Sequence, residues 1–203
     1  MFASKRYYEL TQNKYVYNIM PISNIPSVLQ HGIVCFDQMQ QIRHDSIAMN
    51  DVQERRSRVE IPNGLSLHRY ANLYFSYHNP MLYARQGIAD ELCVLALSSE
   101  VMDIEGCVLS DRNAATTLAR FFASVEGLER LDFEKIHARY WTDPDPIIQR
   151  EKKAIKCAEI LVPHKVSPEY IIGAYVVSEE CKNKLKDYGF DKRIVVNPQV
   201  FYR

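Results

Sequence analysis

The sequence predicts an α+β domain built on a mainly antiparallel sheet. Three observations lead there: six short runs of β-branched and aromatic residues, helical patterns falling irregularly between them, and the absence of a G-x-G-x-x-G turn in a regular βαβ alternation. At 203 residues the chain is long enough for one domain with a sizeable core, so residues 1–203 are read as a single unit. An apolar content of 47% with 25% charged residues excludes wholesale disorder.

Taken in order, a first strand is expected over Tyr15–Met20. A short helix follows in "SNIPSVLQHG", where Ser23 can cap, Ile25, Val28 and Leu29 share one face, and Gly32 is the stop. Residues 38–67 are polar and charged and read as irregular. Strands are expected next over Leu73–Tyr77 and Leu92–Leu97. "DRNAATTLARFFAS" then reads as a helix capped by Asp111. Residues 139–151, "RYWTDPDPIIQRE", form a second irregular stretch; segments this long in a compact domain are commonly binding loops or covers. Strands over Ala158–Val162 and Ile171–Val177, a helix in "EECKNKLKDYG" ending at Gly189, and a strand over Ile194–Tyr202 complete the pattern.

Composition removes several classes of function. Lys plus Arg equals Asp plus Glu at 25 each, so attraction to a nucleic acid must come from local patches. Five scattered cysteines without C-x-x-C fit neither a disulfide framework nor a zinc knuckle, which points to a reducing cytoplasm. No apolar run is long enough to span a bilayer, and "MFASKRYYELTQNKY" is not a signal peptide, so no membrane association is expected. His68 and His78 lack acids at ligand spacing, and H-E-x-x-H and G-x-S-x-G are missing, so no metal is expected.

Three constellations could carry chemistry. In "KKAIKCAEILVP" a single acid, Glu159, interrupts an apolar strand behind Lys152, Lys153 and Lys156. An isolated Glu in a strand commonly lies on the solvated face; in this context a carboxylate could also stabilise an oxocarbenium-like centre, as cleavage of a glycosidic bond to nicotinamide requires. In "QERRSR", Arg55, Arg56 and Arg58 are either a solvated basic turn or forks for a pyrophosphate or nucleic-acid backbone. In "RYWTDPDP", Tyr140 and Trp141 beside Arg150 and the lysines could stack single-stranded bases.

These segments together, in this order, resemble the DarT family of DNA ADP-ribosyltransferase toxins. The resemblance rests on "YNIMPISNIPSVLQHGI", "VQERRSRVEIPNG", "LHRYANLYFSYHNPMLYA" and "KCAEILVP" and covers most of the chain. It implies an ADP-ribosyltransferase fold that transfers ADP-ribose from NAD to a base of single-stranded DNA. It implies that Glu159 is catalytic together with Arg55 or Arg56. Tyr17, Asn18, Met20, Asn24, Arg55, Tyr74 and Tyr83 would then hold NAD, with Asn18 where many members have histidine. Tyr140, Trp141, Arg150, Lys152, Lys153 and Lys156 would hold the strand. The resemblance also implies a de-modifying antitoxin of macrodomain type; a cytoplasmic monomer is expected. The competing readings are transfer to RNA or protein, and a silent single-strand-binding module.

Overall fold

The computed structural model describes residues 2–42 and 44–202. It is built on one eight-stranded sheet, with a two-stranded ribbon beside it. In chain order the elements are α1 (Ala3–Thr11), β1 (Tyr15–Pro21), α2 (Ile25–His31), β2 (Ile33–Val34), α3 (Phe36–Met39), α4 (Asn50–Arg56), β3 (Tyr70–Tyr74) and α5 (Pro80–Tyr83). They continue with β4 (Leu92–Ser98), β5 (Val108–Ser110), β6 (Phe121–Ala123), α6 (Ser124–Leu128), α7 (Phe133–His137) and α8 (Pro146–Ile155). The chain closes with β7 (Glu159–Pro163), β8 (Lys165–Val166), β9 (Ile171–Val176), α9 (Glu179–Asp187) and β10 (Arg193–Val196).

The strand order is β10-β9-β4-β1-β3-β7-β5-β6, with every pair antiparallel except β10 and β9. β4, "LCVLALS", is buried along nearly its whole length because it lies inside the sheet with both faces covered. β1 pairs with β4 through seven residues but with β3 at a single position, Tyr17 opposite Tyr74. The sheet is therefore two ladders joined at a narrow seam.

Helix ends follow local chemistry. Ser178 Oγ accepts from the Cys181 N–H at 3.3 Å and starts α9; Asp145 Oδ1 accepts from the Ile147 N–H at 2.7 Å, and with Pro146 in the first turn it starts α8. Gly32 ends α2 at φ +84°, where an added Cβ would lie 2.2 Å from the Val166 carbonyl oxygen.

Several expectations are corrected. "DRNAATTLARFFAS" is not a helix: Asp111 has its oxygens occupied by Arg112 and Arg120, and Phe121–Ala123 pairs with β5 instead. The segments read as irregular each hold a helix, α4 in 38–67 and α8 in and just beyond 139–151. The strand expected over Leu73–Tyr77 runs over Tyr70–Tyr74, and the last strand stops at Val196, where Asn197 caps a short 3-10 turn. Ser23 does not cap α2; its hydroxyl donates to Asp45 at 2.5 Å.

Candidate active site

The register of the sheet makes the site. Tyr17, Tyr74, Glu159 and Ser110 are successive partners across β1, β3, β7 and β5, so their side chains form one row on one face. The Glu159 N–H donates to Ser110 Oγ at 3.1 Å, and that hydroxyl donates to the Arg112 carbonyl at 2.7 Å.

The Glu159 carboxylate is 1% exposed. Taking a carboxylate out of water is costly unless donors replace its hydration. Here Arg56 Nη1 donates to Oε2 at 2.9 Å and Oε1 at 3.1 Å, and the Ala114 N–H donates to Oε1 at 2.9 Å. Arg56 is 7% exposed and closes α4. Consecutive helix residues point about 100° apart, so Arg55 faces away, pairing with Asp51 one turn back at 3.1 Å with its side chain 53% exposed. The expected alternative of Arg55 or Arg56 beside the carboxylate is thus decided in space: Arg56 meets Glu159 and Arg55 does not.

One loop supports this pair, and one histidine feels its charge. The His68 ring packs on Phe36 at 4.2 Å, and burial, then the Arg56 charge, push its pKa down. The loop carrying Ala114 is clamped at its neck by Asp111, which accepts from Arg112 Nη2 at 3.1 Å, Arg120 Nε at 2.8 Å and the Arg120 N–H at 3.0 Å. Burial alone would raise the Asp111 pKa; these bonds outweigh it and hold it below the ordinary carboxylate range. Nothing in the sequence points to Ser110 or Ala114 at a site, and Asp111 is marked there only as a helix cap. No pattern marks a backbone N–H as a future partner of an acid 45 residues away.

The residues expected to hold NAD divide into two sets. Tyr17 and Tyr74 share the row with Glu159; burial, and then the Glu159 charge, push the Tyr74 phenol upward. Asn18 and Met20 alternate to the other side of β1, where Asn18 Nδ2 crosses the seam to the Asn72 carbonyl at 3.0 Å. Asn24 is drawn elsewhere: its amide clasps the Asp45 backbone in both directions at 2.8 Å. Tyr83 is exposed on α5, edge-on to Trp141 and Tyr202.

The residues expected to hold a strand also divide. Tyr140 is 66% exposed, with the Arg139 guanidinium 5.4 Å from its ring centre. Trp141 is half-buried between Tyr83 and Tyr202, each at 5.8 Å. Arg150 and Lys153 are exposed on α8, whereas Lys152 is paired with Asp143 at 2.7 Å. Lys156 is a correction: it is 1% exposed, and its ammonium donates to the carbonyls of Ile136 at 2.9 Å and Ala138 at 2.7 Å. A group buried on its own backbone is no part of a basic surface.

No group of three or more His, Cys, Asp or Glu among the described residues is arranged to hold a metal ion. No helix among them is long and apolar enough to cross a membrane.

Known proteins of similar sequence and fold share one description. A family model described as ssDNA thymidine ADP-ribosyltransferase, DarT, matches residues 17–202. A DNA ADP-ribosyl transferase of Thermus sp. (strain 2.9) is 34% identical over 193 residues, covering 88% of this chain and 90% of the relative. A transferase–glycohydrolase fusion protein of Thermosipho africanus is 30% identical over 190 residues, covering 90% of this chain and 47% of the fusion. Among solved structures, the Thermus sp. 2.9 protein in complex with ADP-ribosylated ssDNA superposes with a TM-score of 0.79 at 31% identity, over 94% of this chain and 97% of that one. The same protein in complex with NAD+ superposes at 0.74, with 29% identity over 93% of this chain and 98% of that one.

Proposed function

The chain belongs to the DarT family of single-stranded DNA thymidine ADP-ribosyltransferases, and from that premise we propose that it moves ADP-ribose from NAD to a thymine base at the Glu159–Arg56 pair. The enzyme is an NAD-dependent DNA ADP-ribosyltransferase. The observation that carries the assignment of the site is the buried carboxylate held by Arg56 and the Ala114 N–H, in one sheet row with Tyr17 and Tyr74.

The reaction breaks the bond between C1′ of the nicotinamide ribose and the ring nitrogen, and nicotinamide leaves with the bonding electrons. The acceptor base bonds to C1′ and gives up a proton. Positive charge develops at the sugar, and a carboxylate in a water-poor site stabilises it more than the same group in water would. Glu159 serves that charge, Arg56 fixes the carboxylate and offers a donor to the pyrophosphate, and Tyr17 and Tyr74 wall the ring-binding side. Asn18 lies on the other side of β1 with its Nδ2 donated to the Asn72 carbonyl, so it braces the seam, a task that needs no titration. Tyr140, Arg150 and Lys153 carry the strand.

The relatives also support a biological setting. The Thermosipho relative joins a transferase to a DNA ADP-ribosyl glycohydrolase, and such an activity would reverse this modification. We therefore propose a toxin with a de-modifying antitoxin, of macrodomain type; that it acts as a monomer in the cytoplasm is a separate proposal, resting on the sequence.

The test is mass spectrometry of short oligonucleotides that differ at one base, incubated with enzyme and NAD. Only thymidine-bearing strands gain ADP-ribose, with nicotinamide released in equal amount. Equal labelling of strands lacking thymidine, or labelling of RNA alone, overturns the assignment. Transfer at the wild-type rate by Glu159→Gln removes the carboxylate from the mechanism.

A further inference from the structure

A lysine whose ammonium is buried on two carbonyls is an uncommon way to end a helix, and here it sits three residues before Glu159. Lys156 follows α8 directly, so its backbone is fixed relative to β7. Its two acceptors, Ile136 and Ala138, belong to the C-terminal end of α7, where carbonyls lack partners within the helix and a cation is favoured. Burial of an ammonium works against stability, and any apolar side chain of similar length would avoid that loss. What the lysine adds is a fixed distance between the end of α7 and the start of the strand that carries the carboxylate.

Three residues beyond Ala138 the chain is pinned again. Trp141 is wedged edge-on between Tyr83 of α5 and Tyr202, whose ring in turn stacks on His78 at 4.7 Å and 16°. Between the two anchors lie Arg139 and Tyr140. Tyr140 is 66% exposed, and the Arg139 guanidinium occupies one side of its ring. An exposed aromatic on anchored backbone, backed by a cation, is a base-stacking surface whose ordering entropy has already been lost on folding.

We propose that Lys156 is a positioning residue: together with the Tyr83–Trp141–Tyr202 cluster it pins both ends of residues 138–141, so that Tyr140 stacks a base flanking the acceptor at a set distance from Glu159. Trp141 and Lys156 then act through Tyr140 and touch no base. The inference rests on the reading of single-stranded DNA as substrate and Glu159 as the catalytic acid.

The test uses the full chain and a short thymidine-bearing oligonucleotide, after wild-type transfer has been confirmed; absence of wild-type transfer would defeat the underlying reading, not this one. Lys156→Met keeps the apolar stem and removes both hydrogen bonds. It raises KM for the oligonucleotide about tenfold while kcat stays within about threefold, and Lys156→Arg recovers most of the loss. Trp141 is the sole tryptophan of the chain, so its emission reports the anchor directly and shifts to the red in Lys156→Met. Unchanged KM and emission overturn the proposal, as does a fall in kcat at constant KM, which would place the lysine's action on Glu159. If Lys156→Met does not fold, Tyr140→Ala decides: an increase in KM of about tenfold supports the platform, and an unchanged KM removes it.

Discussion

Arg56 and Glu159 lie 103 positions apart in the chain, yet one guanidinium nitrogen of the first donates to both carboxylate oxygens of the second, and both residues are buried. α4 and β7 are thus coupled through charge. Because each partner replaces the other's hydration, the pair behaves as one object in stability and as two in chemistry.

Arg56→Met and Glu159→Met should each lower stability by roughly 3–5 kcal/mol, because each leaves a buried charge alone. The double variant should regain most of that loss yet transfer nothing. Urea unfolding beside an oligonucleotide assay checks both halves. Arg55→Ala, which removes only an exposed pair with Asp51, should change stability by less than about 1 kcal/mol and keep transfer near wild type. A double variant no more stable than the singles would show that the two sites are energetically independent.

Asp111→Ala should loosen the loop that delivers the Ala114 N–H to Glu159. The two arginines lose their shared acceptor, and a stability loss of about 1–3 kcal/mol is expected with a fall in kcat of about tenfold. NAD affinity by calorimetry should hold, since none of the broken bonds involves Tyr17 or Tyr74. Loss of NAD binding in step with kcat would point to collapse of the sheet row around Glu159 instead.

Acid should weaken the fold before the carboxylates titrate. Burial, then the nearby Lys156 charge, pull His137 down to about 4, and its Nε2 is buried without a partner among the described residues. Between the ordinary histidine value and about 4 the unfolded chain takes up a proton that the folded chain refuses, so stability falls as pH falls through that window. His68 and His78 are shifted in the same direction. The loss between pH 7 and 5 should be on the order of 2 kcal/mol for His137, and His137→Phe should flatten it. A pH slope unchanged in that variant would assign the acid sensitivity to the other histidines.

The thiols should be silent. All five cysteines are buried, and burial pushes Cys93, Cys107 and Cys157 up to about 12. Because the thiolate is the reactive form, iodoacetamide should label none of them in the native protein and all five after unfolding, as counted by intact mass. Rapid labelling of Cys157 with loss of transfer would mean that the region before Glu159 opens often.

The sheet was legible because local pattern and burial agree there, and Glu159 stood out only as a single acid in an apolar run. Runs such as "LCVLALS" and "EILVP" are apolar on both faces, and a lone Glu in such a run demands a partner from elsewhere in the chain. Which arginine would answer was not legible, since Arg55 and Arg56 differ only by the turn of a helix that the polar stretch 38–67 did not announce. "DRNAATTLARFFAS" has helical composition but is held open by Asp111, whose bonds to Arg120 span nine residues that no local propensity records. Lys156 differs for the opposite reason: three lysines close in sequence look alike, and only the fold sends one of them inward.

The seam between β1 and β3 has a thermodynamic consequence. A sheet resists being pried apart through its ladder of backbone bonds, but here the two ladders meet at Tyr17 and Tyr74 alone, helped by the amide of Asn18. Whatever wedges itself between the halves therefore competes with very few bonds, and each half keeps its own internal bracing while the gap between them adjusts. Widening that gap costs few backbone bonds, and it lies beside the carboxylate.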